Sequence, residues 1–220
     1  MKSSLAQCEL VIFDWDGTIV DSAGQIVAAM QAAILELDLP KRTDREISEL
    51  IGLGLSDAIA RLFPELPTAT VMSMLEGYRR HWGHAIENPA PLFPGMRELL
   101  GDLCNAGRIV TIATGKSRKG LDRSLRDSGL ADLFAHTRCA DETASKPDDL
   151  MLRELLAETG LGADQAVMIG DTEYDMEMAE NCGMAGIGVA WGVHRVERLR
   201  AAGARQVCGD VESLRQALTL

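Results

Sequence analysis

The stretch LVIFDWDGTIVDS, residues 10–22, decides the fold of this chain. Four apolar residues, Leu10 to Phe13, run directly into Asp14, and a second carboxylate follows at Asp16. Short uninterrupted apolar runs are typical of strands in a parallel sheet, because both faces of such a sheet are covered. A carboxylate that directly follows such a strand is expected at the carboxyl edge of the sheet, where open α/β sheets bind their ligands.

In the C-terminal part of the chain, short apolar segments alternate with helical segments. Strands are predicted at Arg108–Thr114, Ala166–Asp171 and Gly186–Ala190, with a weak strand at Gln206–Cys208. Glycines follow most of the intervening helical segments, as is typical of helix C-termini. The alternation predicts an α/β fold with a doubly wound, mostly parallel sheet and a Rossmann-like core.

The region between the first two predicted strands has a different character, because it contains no convincing strand. Thr43 and Glu46 have the spacing of a capping box at the start of a helix. We therefore expect an α/β catalytic core formed by residues 1–20 and 90–220, and an inserted helical cap formed by residues 21–89. The predicted helices of the cap are Ser22–Leu37, Asp44–Leu50, Asp57–Phe63 and Ala69–Ile86.

Charge and cysteine content limit the partners and the compartment. The formal net charge is −11, which argues against nucleic acid or an anionic membrane as a partner, because both require basic patches. No apolar run approaches the roughly 18 residues that a membrane span needs. The five cysteines are widely spaced and form no C-x-x-C pair, so a reducing, cytoplasmic environment is expected. The oligomeric state stays open between a monomer and a homodimer.

Reactive groups follow the predicted core strands at their carboxyl ends. Because these ends meet at one edge of a parallel sheet, the groups are expected to lie close together. Several carboxylates in one cleft would repel one another unless a hard divalent cation such as Mg²⁺ lay among them. A lysine, a hydroxyl and backbone N–H groups would bind an anion such as phosphate. The residues concerned are Asp14, Asp16, Thr114, Gly115, Lys146, Asp171 and Asp175.

The first pair of carboxylates indicates covalent phosphoryl transfer. A carboxylate such as Asp14 can act as a nucleophile and form an aspartyl phosphate. A second group must then protonate the leaving alkoxide and later activate water, and Asp16 lies two residues further along the chain. Gly17 would permit the tight turn that brings Asp16 beside the leaving group.

Four motifs, FDWDGTIVDS, IATGKS, SKPDD and IGDTEYD, occur in the order and spacing of the haloacid dehalogenase-like hydrolase superfamily. The chain resembles this superfamily over nearly its whole length. It looks most like the phosphoglycolate phosphatase-like branch, which carries a helical cap between the first and second motifs. The resemblance implies a Mg²⁺-dependent phosphatase acting on a small phosphate monoester, with phosphoglycolate favoured.

The resemblance also implies a role for each catalytic position. Asp14 would be the nucleophile and Asp16 the general acid and base. Thr114 would bind the transferring phosphoryl group together with Gly115, and Lys146 would stabilise it.

A magnesium site is implied in the same way. The ligands would be Asp14, Asp171 and the backbone carbonyl of Asp16. Asp175 would lie outside the ligand set, beside Lys146 or a metal-bound water.

Three positions are candidates for contact with the substrate. Gly54 belongs to IGLGLSD, residues 51–57, a loop that in related caps reaches over the active site. A plain turn between two helices is the alternative for that loop. Lys116 and Arg118 follow the second strand, near the predicted mouth of the cleft. Trp15 stands between the two carboxylates, and the sequence gives no reason for a tryptophan there.

Two other functions stay open, and the first of them would use the same residues. A sugar-phosphate mutase of the same superfamily would protect the aspartyl phosphate from water and yield an isomerised product. A phospho-aspartate signalling or binding protein would hold the phosphoryl group without turnover. Signalling receiver domains of that kind are shorter, have no helical insert and lack a group in the position of Asp16.

Overall fold

The computed structural model describes residues 8–84 and 89–219, and the described chain is built around one six-stranded sheet. All five strand pairings are parallel, and the strand order is β3-β2-β1-β4-β5-β6. The predicted doubly wound α/β fold is therefore confirmed. The strands are β1 (Leu10–Phe13), β2 (Ile109–Thr114), β3 (His136–Cys139), β4 (Ala166–Gly170), β5 (Ala185–Val189) and β6 (Gln206–Cys208).

Ten α-helices accompany the sheet in the described part of the chain. Five of them lie between β1 and β2, and the other five follow β2. They are α1 (Ala23–Glu36), α2 (Asp44–Ser48), α3 (Leu55–Leu62), α4 (Thr68–His84), α5 (Met96–Asn105), α6 (Arg118–Ser128), α7 (Leu150–Thr159), α8 (Glu173–Asn181), α9 (Val196–Ala201) and α10 (Val211–Ala217). None of these described helices is both long enough and apolar enough to cross a membrane.

Strand β1 lies in the centre of the sheet and connects its two hydrophobic layers. Its side chains alternate between the faces, so Val11 and Phe13 join one cluster of buried residues while Leu10 and Ile12 join the other. Helices α5, α6 and α10 contribute to the first cluster, and α7 and α8 to the second. Because both faces are covered, all four residues of the strand are apolar and fully buried.

Five strands were predicted from the sequence, and β3 was not among them. This strand carries His136, Thr137 and Arg138, which are only half-buried, and ends at the buried Cys139. It pairs with β2 alone and so forms an edge of the sheet. An edge strand has fewer covered side chains, so it needs no apolar run, and the pattern that revealed β1 is absent here.

Helices α1 to α4, here called the helical insert, surround a hydrophobic cluster of their own. Met30, Ile34, Ile59 and Met74 are among its buried members. This separate cluster supports the proposed division into a core (1–20 and 90–220) and a cap (21–89), which stays a prediction. The predicted end of the fourth helix at Ile86 lies outside the described residues.

The predicted capping box at the start of α2 is confirmed. The Glu46 N–H donates to Thr43 Oγ1 at 3.2 Å, and the Thr43 N–H donates to Glu46 Oε2 at 2.7 Å. The two reciprocal bonds satisfy backbone donors at the helix start, which have no partner within the helix.

Trp15 is a core residue, which gives a structural reason for its size. Its side chain is fully buried in the cluster that contains Phe13, and its ring meets Phe134 edge-on at a centroid distance of 6.1 Å. The indole Nε1–H has no hydrogen-bond partner among the described residues. The chain therefore anchors the turn between Asp14 and Asp16 by burying the largest side chain available.

Replacing Trp15 is expected to destabilise the fold. Trp15→Ala should lower the free energy of unfolding by about 3–5 kcal/mol, because it leaves a cavity beside Phe134. Trp15→Phe should lose less, because it keeps an aromatic ring there and removes the unpaired N–H. Denaturant unfolding measures both, with Leu35→Ala as a control at an exposed apolar position. Wild-type stability in Trp15→Ala would contradict this account of the residue.

Candidate active site

The candidate site lies at the carboxyl edge of the sheet between β1 and β4, where the strand order reverses. Asp14 directly follows β1, and Asp171 directly follows β4. The two strand ends are held in register, because the Asp14 N–H donates to the Ile169 carbonyl at 2.9 Å. Residues that are far apart in sequence thus meet at the position where doubly wound sheets bind ligands.

Lys146 forms a buried bridge between two carboxylates. Its ammonium Nζ lies 2.7 Å from Asp14 Oδ1 and 2.6 Å from Asp175 Oδ1, and all three side chains are inaccessible to solvent. The second oxygen of Asp175, Oδ2, accepts hydrogen bonds from the N–H and the hydroxyl of Thr172 at 3.1 and 2.6 Å. Thr172 caps α8, so this capping box also fixes the orientation of Asp175.

Burial and mutual repulsion alter the protonation of these groups. Burial, followed by the charge of Asp175, raises the pKa of Asp171 to about 7. Burial also raises the pKa of Asp14 well above its usual range, although Lys146 opposes the change. For Lys146, burial lowers the pKa, but the carboxylates of Asp14 and Asp175 outweigh it and the net pKa is raised. The lysine is therefore charged at neutral pH.

The three carboxylates form a site that could hold a divalent metal ion. One oxygen each from Asp14, Asp171 and Asp175 lies within 4.8 Å of the others. Three carboxylates and one ammonium would leave a net charge of −2 when all are ionised. In addition, Asp14 Oδ2 is buried and has no hydrogen-bond partner among the described residues. An unpartnered buried carboxylate oxygen is costly in a protein interior unless a cation or a ligand group meets it.

Asp171 is held by partners that the sequence analysis did not identify. The Thr18 hydroxyl donates to Oδ1 at 2.9 Å, and the Val193 N–H donates to Oδ2 at 2.8 Å. Thr18 is the last residue of the DGT triplet in the first motif, and this triplet was the sequence feature that could have identified it as a site residue. Nothing in the sequence pattern indicated Val193, because its contribution is a backbone N–H in a loop after β5.

Gly17 allows the first loop to pass directly over Asp171. Its φ is +81°, and a Cβ at this position would lie 2.3 Å from Asp171 Oδ2. Any side chain would therefore be strained and would overlap the carboxylate. Glycine is thus required at position 17 for the close approach of the loop to Asp171, in addition to the turn that the sequence predicted.

Asp16 is the second carboxylate of the first motif, and its environment differs from that of Asp14. Its Oδ1 lies 2.9 Å from the ammonium of Lys116 and accepts a hydrogen bond from the Ser22 hydroxyl. Lys116 Nζ also lies 4.6 Å from the centroid of the Trp82 ring, on α4 of the insert. The predicted substrate contact Lys116 therefore connects Asp16 to the insert.

Thr114 ends β2 beside these carboxylates, and Gly115 directly follows the strand. The Lys116 N–H donates to Thr114 Oγ1 at 3.2 Å, so the threonine hydroxyl keeps its own proton for another acceptor. A Cβ on Gly115 would lie 2.5 Å from the carbonyl oxygens of both Gly52 and Leu53. The loop between α2 and α3 thus rests directly on the end of β2.

A cleft of about 890 Å³ lies between this sheet edge and the helical insert. Asp14, Asp16, Thr114, Gly115 and Lys116 line it on the core side. Lys146, Asp171 and Asp175 lie behind that surface and are fully buried.

Gly54 lines the same cleft from the insert side, where its N–H donates to Ser145 Oγ at 2.8 Å. The structure therefore brings the loop of residues 51–57 to the mouth of the site. Ser145 precedes Lys146, so this contact joins the insert to the loop that carries the lysine.

Arg118, the third predicted substrate contact, is placed elsewhere. Its guanidinium forms two 2.8 Å contacts with Glu142 and donates to Thr137 Oγ1 at 2.8 Å. It is not among the described residues that line the cleft. The first turn of α6 directs this side chain toward β3, the strand that the sequence analysis missed.

Two core side chains dock the insert through one backbone carbonyl. The Tyr174 hydroxyl donates to the Glu49 carbonyl at 3.0 Å, and His194 Nε2 lies 3.1 Å from the same oxygen. His194 Nδ1 accepts from the Glu173 N–H, so Nε2 carries the proton and donates. Burial lowers the pKa of His194, which keeps the ring neutral at pH 7.

Comparison with known proteins identifies the family. A family model described as haloacid dehalogenase-like hydrolase matches residues 11–189. The chain is 38% identical over 200 residues to the probable phosphatase IndB of Dickeya dadantii, covering 88% of this chain and 86% of the relative. It is 30% identical over 213 residues to the phosphoglycolate phosphatase of Rhodospirillum rubrum, covering 93% and 88% of the two chains.

A solved structure supports the same assignment. The crystal structure of a hydrolase from Pseudomonas syringae superposes with a TM-score of 0.87 at 26% identity, covering 95% of this chain and 97% of that one. The resemblance that the four motifs indicated is thereby confirmed. On its motifs, its fold and its relatives, the chain belongs to the haloacid dehalogenase-like hydrolase family.

Proposed function

We propose that this protein is a Mg²⁺-dependent phosphatase that hydrolyses a small phosphate monoester through an aspartyl phosphate on Asp14. The observation that carries the proposal is the buried Lys146, which holds one oxygen of Asp14 while the other oxygen, Oδ2, has no hydrogen-bond partner in the described part of the chain. Relatives named phosphatases support the reaction class. Relatives named phosphoglycolate phosphatases make phosphoglycolate the first ester to test.

The carboxylate cluster fits the magnesium ion that the family implies. Asp14, Asp171 and the backbone carbonyl of Asp16 would hold it, because hard oxygen ligands suit Mg²⁺. Both oxygens of Asp175 are engaged by Lys146 and Thr172, which favours a role outside the ligand set. When bound, Mg²⁺ would offset the negative charge of these carboxylates and of the phosphoryl oxygens.

In the first step, Asp14 Oδ2 would attack the phosphorus atom as the bond from phosphorus to the ester oxygen breaks. Asp16 would give its proton to the departing alkoxide. Lys146 Nζ and the Thr114 hydroxyl would stabilise the phosphoryl oxygens, together with the Gly115 N–H.

In the second step, Asp16 would take a proton from a water molecule whose oxygen attacks the phosphorus. The bond from phosphorus to Asp14 breaks, which releases inorganic phosphate and restores the carboxylate. Over the whole cycle, one water is consumed and one alcohol is released.

The setting proposed for this reaction is the cytoplasm, with the protein as a monomer or a homodimer and with neither nucleic acid nor membrane as a partner. The net charge of −11 supports the last part of this proposal. The substrate phosphate would instead be attracted locally, by Lys146 and the metal ion.

The roles of the two aspartates predict different losses of activity. Asp14→Asn should lower kcat/KM by at least about 10⁴-fold, because an amide is a poor nucleophile. Asp16→Asn should lower it by about 10²–10⁴-fold, the usual contribution of general acid–base catalysis. Asp21→Asn changes an exposed carboxylate of the same stretch and should keep wild-type activity. Phosphate release from small esters in the presence of Mg²⁺ provides the measurement.

Several results would reject this mechanism. Normal turnover by Asp14→Asn would exclude the proposed nucleophile. An isomerised sugar phosphate without release of phosphate would favour the mutase. A long-lived phosphorylated protein without turnover, detected after acid quenching, would favour the signalling function.

Metal binding should depend on pH, because protons compete for the same oxygens. In the folded, metal-free protein, Asp171 has a pKa of about 7, well above its pKa in the unfolded chain. The folded protein therefore holds a proton that the unfolded chain has already lost, and the stability of the fold decreases as the pH rises toward 7. Added Mg²⁺ offsets this loss. Its stabilisation of the fold should therefore grow between about pH 5.5 and pH 8.

Thermal unfolding with and without Mg²⁺ measures the effect across this pH range. Asp171→Asn should abolish the Mg²⁺-induced shift in Tm, whereas Asp132→Asn, at an exposed position, should retain it. A shift of equal size at all pH values would show that no such proton is displaced.

A further inference from the structure

Most of the cleft is not used by the groups that handle the phosphoryl group. The cleft encloses about 890 Å³ although the insert is docked on the core by the contacts of Gly54 and Glu49. This volume therefore belongs to the docked arrangement. Such a space is at the upper end of the range for ligand pockets and far exceeds the needs of a two-carbon ester.

Much of the wall that the insert contributes to the cleft is apolar. It extends into the hydrophobic cluster of the insert, because several residues line the cleft and also belong to that cluster. An anionic group placed there would lose its hydration without gaining a partner. The shared residues include Met30, Ile47, Leu62 and Leu75.

An aromatic wall adjoins the proposed acid and base. The rings of Tyr78 and Trp82 stack at a centroid distance of 6.1 Å with 11° between their planes, and both residues line the cleft. Trp82 contacts Lys116, which contacts Asp16. Since Asp16 would protonate the leaving alcohol, the organic part of the substrate departs beside this wall.

Several cationic side chains lie near the cleft, and the residues that line it include Arg79, Lys116, Lys119 and Arg123. Lys116 is already paired with Asp16, and Arg118 is paired with Glu142 away from the cleft. Arg123 is exposed and lies 3.6 Å from Asp127. Phosphoglycolate carries a carboxylate next to its phosphate, and Lys116, the cation that contacts the proposed acid and base, is already engaged by that aspartate.

We propose that the preferred substrate is a phosphate monoester whose alcohol carries a bulky apolar group, best an aromatic one, rather than phosphoglycolate. This inference rests on the proposed phosphatase function and specifies its substrate class. The phosphate would lie against Asp14 and Thr114. The apolar group would lie between the stacked rings and the insert cluster, where its burial contributes to binding.

A matched series of esters tests the inference. Ethyl phosphate, 2-cyclohexylethyl phosphate and 2-phenylethyl phosphate have primary-alcohol leaving groups of similar acidity and differ mainly in apolar bulk. With Mg²⁺, kcat/KM for the phenylethyl ester should exceed that for ethyl phosphate by at least about tenfold, the effect expected from burying a ring. It should also exceed kcat/KM for phosphoglycolate.

Variants of α4 show whether the aromatic wall is responsible. Trp82→Ala should reduce the ratio of kcat/KM for the phenylethyl ester over ethyl phosphate by about tenfold, and Trp82→Phe should retain most of it. The ratio is insensitive to any general loss of active protein. Met72→Ala, at an exposed position of the same helix, should change neither the ratio nor the absolute rates.

The possible outcomes separate this inference from the proposed function. If phosphoglycolate is the best ester, or if the ratio is close to one, the inference fails while the phosphatase function stands. An equal fall of the ratio in Met72→Ala would also overturn it. If none of the esters releases phosphate, the phosphatase function itself fails, and the inference fails with it.

Discussion

The buried ion pairs of Lys146 with Asp14 and Asp175 are the constraint on which the rest of the site depends. Removing charged groups from water is costly, and here one ammonium pairs with two buried carboxylates while a third, Asp171, lies close to both of them. The surrounding chain compensates in several ways. A threonine hydroxyl and backbone N–H groups hold the carboxylates, and a glycine lets the first loop pass over Asp171. The strand order is also required, because it makes β1 and β4 neighbours and so brings Asp14 and Asp171 together at the carboxyl edge of the sheet.

Much of this arrangement could be predicted from the sequence, because it follows from local patterns. Apolar runs revealed the buried strands, and the position of each reactive group at a strand end revealed the shared edge. The same reasoning missed β3, since an edge strand with polar side chains leaves no apolar run. It also placed Arg118 at the cleft, because the direction of a long side chain depends on its tertiary partners, here Glu142 and Thr137.

Trp15 shows a different limit of prediction from the sequence. The sequence pattern does not explain a tryptophan between two carboxylates, and only the packing around Phe134 explains its size. The identity of Val193 was equally invisible, since the group that contacts Asp171 is its backbone N–H. In the insert, the sequence predicted four helices. It did not reveal that some of the side chains buried among them also form the wall of the cleft.

The docking of the insert through the Glu49 carbonyl has a consequence for the divergence of such proteins. Tyr174 and His194 contact a main-chain oxygen, which every residue type provides. The side chains of the neighbouring loop can therefore change over evolution without loss of this attachment. Selection for a new ester could act on the residues that line the cleft, while the carboxylates at the sheet edge and the contacts that attach the insert stay unchanged.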